Sequence, residues 1–553
     1  MTVAEATIPT TYTQSLLTRN PVPSDYNIPH PTWRPHQLES LQWAETIKEV
    51  GIIQAATGSG KTTFPAGLST TRRTCSLTRT KSLQQQYSIY NGCILMGKSN
   101  YPCIHPDNEE GANCNDCLYN SMSECGMRNE CTYVMQRRMA MSHPFPCVNY
   151  ALWSSNRYFR ETPPPEMLVL DECHLASDIA LEWAGTMVNN TKRAEFNLPQ
   201  FPVIRGATRD DIDRALAWLI ESRLVLEDEH KRLRNILRIG PDKKLSRRAA
   251  GVQNMDYSFC ATRDALRECP EAWYIRSGPQ VGMHRGNVEP GIDIRPLTAR
   301  YHFPRLFLGD KWKTMLMSAT VGKFETFAEE LGIRMDRCMV RRVPSNFPPS
   351  TRPVYILDAP KLGHKSKEED YLRQAQVIAG AISACPSEWP GIIHITRKSE
   401  APLLRSRLVK YGIDESRLWV LPQQDRHKRW LGTKGQTAAW EEWKRVKPNA
   451  IMLSWTHWEG FDGLDEKICI VAKTPFPSTP PGSYEAMRQR YSRKFYNQRT
   501  AWALQQALGR TRRGRSEDYD TDNEVRGMVA IADGNYEMVK KWMDDDFVES
   551  FVS

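Results

Sequence analysis

Ala55-Ala56-Thr57-Gly58-Ser59-Gly60-Lys61-Thr62 follows the apolar run Gly51-Ile52-Ile53-Gln54-Ala55 and leads into a stretch that can continue as a helix. A strand, a glycine-rich turn and a helix in that order let backbone N–H groups curl around phosphate oxygens. Gly58, Ser59 and Gly60 supply the curl, and Lys61 is spaced to reach the β- and γ-phosphates of ATP. The Thr62 hydroxyl stands where it can ligate Mg2+. One position departs from the usual pattern: Ala55 stands where a glycine normally opens it.

Asp171-Glu172-Cys173-His174 follows a second apolar run, Met167-Leu168-Val169-Leu170, set off by Pro163-Pro164-Pro165. The carboxyl ends of parallel strands are where an α/β sheet presents its ligands. There Asp171 would hold Mg2+ through its water shell, and Glu172 would orient or deprotonate an attacking water. Taken alone, the acidic pair also suits a helix cap; beside Lys61 the catalytic assignment is the stronger. Upstream, Arg34-Pro35-His36-Gln37 precedes an apolar helix, and the Gln37 amide can pair with an adenine edge. An ordinary exposed glutamine would look the same in sequence.

Cys75-Ser76-Leu77-Thr78 and Met315-Leu316-Met317 are further short apolar runs between helical stretches. Together these segments predict a parallel, doubly wound α/β sheet. A second pattern of the same kind begins after Asn346-Phe347-Pro348-Pro349, with strands expected at 353–357, 391–395, 450–453 and 468–471. Near its end stands Gln506-Ala507-Leu508-Gly509-Arg510-Thr511-Arg512-Arg513. At helical spacing Gln506, Arg510 and Arg513 share a face. Arginines that reach a γ-phosphate from a second lobe stabilise transition-state charge; a basic helix lying on nucleic acid would carry the same residues. Ser318-Ala319-Thr320 and Glu459-Gly460-Phe461-Asp462-Gly463 each follow a strand as loops, and the first is placed to couple hydrolysis to movement.

From about Thr191 to Pro290 the texture changes. Ile212, Ala215, Leu216, Leu219, Ile220 and Leu224 recur at helical spacing, with charge opposite, and the stretch Arg238 to Arg248 is basic. A mostly helical insertion within the first sheet domain is expected there.

The chain has 553 residues, enough for three or four domains. Its 40% hydrophobic and 25% charged content is that of a globular protein. No run approaches the ~20 apolar residues of a membrane span. The opening MTVAEATIPTTYTQ lacks the basic start and apolar run of a secretory signal, so a cytoplasmic location is expected. Lys plus Arg, 74, exceeds Asp plus Glu, 64, giving +10 and a sign that suits a polyanionic partner. Seven of the 14 cysteines lie between Cys93 and Cys147. A local cluster in a chain of this size points to metal rather than to disulfides.

Taken in order, RPHQ (34–37), AATGSGKT (55–62), SLTRTKSLQQQ (76–86), DECH (171–174), MSAT (317–320), EGFDG (459–463) and QALGRTRR (506–513) resemble the motif series of superfamily 2 helicases. Gly97-Lys98-Ser99-Asn100-Tyr101-Pro102-Cys103, Asn149-Tyr150-Ala151-Leu152 and Ser345-Asn346-Phe347 are similar to marks of the DinG/XPD branch, the iron–sulfur DNA helicases. The resemblance runs from about Arg34 to Asp533. It implies two RecA-like doubly wound motor domains, the first over 31–95, 146–190 and 291–340 and the second over 341–553, behind an extended lead-in over 1–30. A Cys-rich iron–sulfur module over 96–145 and a helical arch over 191–290 would be inserted in the first.

The resemblance further implies an ATP-dependent DNA helicase that moves 5′ to 3′ on single-stranded DNA and opens forked or tailed duplex DNA. Lys61, Asp171, Glu172, Arg510 and Arg513 would be its catalytic residues. Gln37, Gly58, Ser59, Gly60, Thr62 and Gln506 would join Lys61 and Asp171 around ATP and Mg2+. A [4Fe–4S] cluster would be held by Cys103, Cys125 and Cys131 with Cys117, or with Cys114 in its place. A pair at Cys114 and Cys117, leaving Cys125 spare, is also open. Four cysteines at these spacings would serve zinc as well. The motor residues are shared by a translocase that displaces bound proteins without separating strands. A metal-stabilised nucleic-acid-binding protein with an inactive ATP site is the reading that Lys61 and Glu172 oppose. Arg72, Arg73, Arg79, Lys81, Arg128, Arg137, Arg138, Arg341, Arg342, Arg397 and Lys398 are candidates for phosphate contacts, and Trp153, Trp455 and Trp458 for base stacking.

Overall fold

The computed structural model describes residues 21–552 apart from 57–58, 107, 109–110, 115–116, 118–124, 156–162, 241, 285–286, 346–348, 352, 364, 421–432, 456–466 and 510–526. The first lobe is built on β1 (Val50–Ala55), β2 (Thr74–Thr78), β3 (Cys93–Leu95), β4 (Pro146–Asn149), β5 (Met167–Asp171), β9 (Lys313–Ser318) and β10 (Cys338–Val343). They form one sheet in the order β10-β1-β9-β5-β2-β4-β3, with every pairing parallel. The strands are apolar almost throughout because both faces of a parallel sheet are covered. Successive strand residues point to opposite faces, and the core divides accordingly. Leu168 and Leu170 pack with Ile52, Leu77 and Leu316, whereas Met167 and Val169 pack with Ile53, Ala55, Met315 and Met317.

The second lobe repeats the plan with β11 (Val354–Ile356), β12 (Gly391–His394), β13 (Leu418–Val420), β14 (Ile451–Ser454), β15 (Ile468–Val471), β16 (Met528–Ile531) and β17 (Phe551–Val552). Their order is β13-β14-β12-β15-β16-β11-β17, again parallel. The expected pair of doubly wound parallel sheets is thus the fold. The lobes share one helix, Arg493–Leu508: its Phe495 and Trp502 sit in the first lobe's core, and its Leu504, Ala507 and Leu508 in the second's.

Between β5 and β9 the chain builds a separate body. The helices Arg209–Ile239 and Lys243–Glu268 form a hairpin, the first about 46 Å long at 1.5 Å per residue. Beside them β6 (Thr186–Asn189), β7 (Trp273–His284) and β8 (Asn287–Pro296) make an antiparallel sheet in the order β6-β8-β7. The insertion is mostly helical, as expected, and this sheet is an addition that the sequence reading did not include. The apolar stripe also differs from the one read in sequence. Ile212, Ala215, Leu219, Leu226, Leu233 and Leu237 are buried, while Ile220 is 37% and Leu224 59% exposed. The buried stripe repeats every seven residues from Ile212 to Leu233, and a residue one step off it is turned about 100° away. The hairpin's second helix reaches back to the first lobe, where the Ser246 hydroxyl donates to the Cys117 carbonyl (2.6 Å) and the Tyr257 hydroxyl to that of Ser154 (3.0 Å). No described helix is long and apolar enough to cross a membrane.

Candidate functional site

Parallel pairing sets the motif residues along one edge. Gln54 of β1 is in register with Ser318 of β9, and Asp171 of β5 with Met317. The loop after β1, the DECH box and the Ser-Ala-Thr loop therefore leave the sheet side by side at its carboxyl edge. Gly60 holds φ +80°, a left-handed conformation, and a side chain there would strike the Gln37 amide. Lys61 Nζ donates to the carbonyls of Ala55 (3.0 Å) and Ala56 (3.4 Å), bending over its own loop. The Ser59 hydroxyl is buried with no hydrogen-bond partner among the described residues. A buried unpaired donor beside a lysine fits a phosphate oxygen. Gly58 lies outside the described residues.

Gln37 is only 2% exposed. Its Oε1 accepts from the Arg34 amide (3.0 Å), and its Nε2 donates to Thr63 Oγ1 (2.8 Å) and the Gly60 carbonyl (3.3 Å). The amide expected to meet an adenine edge is thus engaged with the glycine-rich loop itself.

Asp171 ends β5 and is buried. Its Oδ2 accepts from the Tyr87 hydroxyl (3.0 Å) and its Oδ1 from the Glu172 amide (3.0 Å), while the Tyr150 hydroxyl donates to its carbonyl (2.7 Å). Burial, and then the neighbouring Glu172, push its carboxyl up to about 7, against the pull of Lys61. Glu172 takes φ 54°, a costly conformation for a non-glycine residue and one that recurs at functional sites. Ser318 Oγ donates to Glu172 Oε2 (3.4 Å) and lies 2.9 Å from His174 Nδ1. From the second lobe, Gln506 Nε2 lies 3.0 Å from His174 Nε2 and 3.1 Å from Thr320 Oγ1. The DECH box, the Ser-Ala-Thr loop and Gln506 thus meet at the seam between lobes. Arg510, Arg513 and the Glu459–Gly463 loop lie outside the described residues.

A second contact between lobes had no mark in the sequence. Arg488, 5% exposed, places Nη1 2.6 Å from Asp178 Oδ1 and Nη2 3.0 Å from Ser177 Oγ and 3.8 Å from Glu330 Oε1. Arg499 pairs with Asp178 (3.2 Å) and Glu485 (3.5 Å). Asp178 lies four residues beyond His174, on the helix Ala176–Ala184.

Among the expected phosphate contacts, Arg73 serves another purpose. Its guanidinium donates to the carbonyls of His143 (3.3 Å), Met141 (2.7 Å) and Pro163 at the amino end of β2, the edge opposite Lys61 and Asp171. Arg79 and Lys81 stand at the carboxyl end. Trp153 is fully buried, with its Nε1 donating to the Leu306 carbonyl (2.9 Å), so it is a core residue and not a stacking platform. Trp455 packs against the second lobe's cores, and Trp458 lies outside the described residues.

In the Cys-rich region, the Cys103 amide donates to Ala112 and the Cys114 amide to Tyr101 (both 2.8 Å), and an antiparallel bridge joins Pro102 to Asn113. This places Cys103 and Cys114 side by side. Cys131 precedes the helix Thr132–Ser142, and its Sγ is 3.8 Å from that of Cys114. Two thiolates on one tetrahedral metal at ~2.3 Å stand about 3.8 Å apart. Burial and the thiols of Cys131, Cys103 and Cys117 push the Cys114 thiol up to about 12. The donor chemistry suits a soft metal, but no group of three or more His, Cys, Asp or Glu among the described residues is arranged to hold an ion. The geometry as it stands fits a sulfur pair and not a complete centre.

No family model matches the chain, and no curated protein matches it in sequence. Among solved structures it is similar to an XPD helicase, with a TM-score of 0.52 and 14% identity over 91% of this chain and 95% of that one. It is likewise similar to an apo form of XPD, with a TM-score of 0.50 and 13% identity over 91% and 96%. S. cerevisiae Dbp5 bound to RNA and ADP-BeF3 matches at a TM-score of 0.36 and 11% identity over 94% of each chain. What the likeness to XPD shows is the fold: two RecA-like lobes.

Proposed function

We propose that the chain is an ATP-driven DNA helicase of the DinG/XPD kind, moving 5′ to 3′ on single-stranded DNA and separating forked or tailed duplex. The observation that carries this reading is Gln506 of the second lobe lying 3.0 Å from His174 and 3.1 Å from Thr320 of the first. The nucleotide edge is then closed by a second lobe, as a motor requires, and the chain runs on from Gln506 directly into Arg510 and Arg513.

In this reading Lys61 leaves the carbonyls of Ala55 and Ala56 for the β- and γ-phosphates, and the Ser59 hydroxyl gains an acceptor. Thr62 and Asp171 hold Mg2+, which would neutralise phosphate charge. Glu172 orients the water that attacks the γ-phosphorus and accepts its proton, and Arg510 and Arg513 balance the charge on the transferring group. Loss of phosphate loosens the Gln506 contacts, and the lobes step along the strand. Gln37 would sense the phosphate loop, to which its amide is bonded. Cys103, Cys125 and Cys131, with Cys114 or Cys117, would hold a [4Fe–4S] cluster or zinc that braces the module; the contact of Cys114 with Cys131 favours Cys114. The module and the helical hairpin, joined through Ser246 and Cys117, would flank the separating strands.

The test is strand displacement on a 5′-tailed duplex beside ATP hydrolysis, with Lys61→Ala as control. Displacement that needs ATP and Lys61 is expected. Strand-stimulated hydrolysis without displacement would favour a translocase, and no hydrolysis would end both readings. Iron and sulfide near about four each in anaerobically purified protein would identify the cluster; stoichiometric zinc would replace it.

A further inference from the structure

We propose that Tyr87, outside every motif named above, is a positioning residue of the nucleotide site: its hydroxyl fixes the Asp171 carboxylate in the setting that receives the metal–nucleotide. The inference rests on the proposed ATP site.

Tyr87 is 1% exposed and opens the 3-10 turn Tyr87–Tyr90, directly after the helix Lys81–Gln86. It is held on several sides. Its ring meets Phe145 edge-on at 5.7 Å, and its carbonyl accepts from the Gly92 amide (3.0 Å). The helix before it is seated on β3 and β4 by Gln84 Nε2, which donates to the carbonyls of Leu95 (3.2 Å) and Cys147 (3.4 Å). Its first residue, Lys81, bonds Asn100 in the run that leads to Cys103. A side chain so constrained aims one O–H at Asp171 Oδ2, 3.0 Å away.

The two oxygens of Asp171 thus each have one fixed donor, Tyr87 on Oδ2 and the Glu172 amide on Oδ1. An ionised carboxylate has about four lone-pair sites, so both oxygens keep acceptor capacity for the water shell of a cation. Without the phenol, only the Glu172 amide would restrain the carboxylate plane. Partners that orient a metal ligand commonly set metal affinity by about 10- to 100-fold. Tyr87 is also the only described side chain from the segment between β2 and β3 that bonds Asp171, so the setting of this carboxylate depends on a helix tied by Lys81 and Asn100 to the Cys-rich region.

The test uses the full chain and a fluorescent, non-hydrolysable ATP analogue, titrated in Mg2+ and in EDTA. Tyr87→Phe keeps the ring and its packing on Phe145. We expect it to bind the analogue in EDTA as the parent does and to lose about tenfold of the affinity gained with Mg2+. An unchanged Mg2+-dependent gain in Tyr87→Phe overturns the role of Tyr87 alone. A parent whose affinity is the same in Mg2+ and in EDTA overturns this inference together with the reading on which it rests. Hydrogen exchange on the parent requires no substitution: the amides of 81–90 should be protected by analogue with Mg2+ more than by analogue with EDTA. Equal protection would overturn the proposal.

Discussion

The helix Arg493–Leu508 and the helix before it touch the first lobe at two places, and the two contacts are built differently. At the carboxyl end, Gln506 meets His174 and Thr320 through single hydrogen bonds beside the first sheet's carboxyl edge. At the other end, Arg488 is buried against Asp178, Ser177 and Glu330, and Phe495 is sunk into the first lobe's core. A hydrogen bond between uncharged groups contributes about 0.5–1.5 kcal/mol net. Breaking a buried ion pair by removing one partner costs about 3–5 kcal/mol. In the motor proposed above, the lobes would open at the Gln506 end and stay joined at the Arg488 end, with this helix as the hinge.

The largest expected effect is at the closed end. Arg488→Met should lower unfolding stability by about 3–5 kcal/mol in a denaturant titration, because it leaves Asp178 with Arg499 as its remaining cation and the buried Glu330 with only neutral donors. Adding Asp178→Asn should recover part of that loss, since the two changes remove one interaction between them. If Arg488→Met costs no more than a change at Gln506, the two contacts are equivalent and the hinge is elsewhere.

Gln506→Ala sharpens the contrast from the open end. It removes two polar contacts at a seam, so stability should move by no more than about 1 kcal/mol. In the proposed mechanism ATP hydrolysis should fall by about tenfold, the equivalent of some 1.4 kcal/mol on the barrier. A variant that loses stability without losing turnover would make Gln506 a structural residue only.

These two contacts also mark the limit of what the sequence discloses. The carboxyl edge that gathers the candidate site was legible because its signals are local: glycines at 58 and 60, Lys61 and Thr62 behind one strand, an acidic pair behind another. Parallel register then brings such local signals together without further information. Arg488 and Asp178 are 310 positions apart, and neither stands in a pattern that announces its partner. Tyr87 stands just past a motif run whose residues drew the attention, and its role depends on a turn that only packing defines. The antiparallel sheet of the insertion went unread because Gly278, Pro279, Gly282 and Pro290 interrupt β7 and β8, as such residues usually interrupt strands. The register shift between Gly278 and Gly282 absorbs part of that interruption. Among its described residues the Cys-rich region has one isolated bridge, Pro102 to Asn113, ahead of the helix Thr132–Ser142, and cysteine spacing by itself left Cys114 and Cys117 undecided.

The smallest expected effect divides the closed contact itself, because its two carboxylates titrate with opposite signs. Burial pushes Asp178 up, but Arg488 and Arg499 overcome it and hold its carboxyl below the ordinary 3.8. Its stabilisation is therefore present above the ordinary carboxylate range and is lost as pH falls through the lowered value. For Glu330 burial wins: its carboxyl stays above the ordinary 4.5 despite Arg488 and despite donors from Ala299, Ser177 and Thr298. Its contribution is full below 4.5 and is lost as pH rises through the raised value. Glu330→Gln should therefore leave the thermal midpoint nearly unchanged at pH 4.5. It should raise it slightly at pH 8, by the equivalent of about 1 kcal/mol or less. The amide oxygen can still accept from Ser177 and Ala299, and its NH2 can donate to the Thr298 hydroxyl, which turns to receive it. Asp178→Asn should do the reverse, costing stability at pH 8 and progressively less as pH falls below 3.8. If Glu330→Gln instead loses more at pH 8 than at pH 4.5, both carboxylates are needed in charged form around Arg488. The hinge would then be a full ionic clamp and would weaken with acid alone.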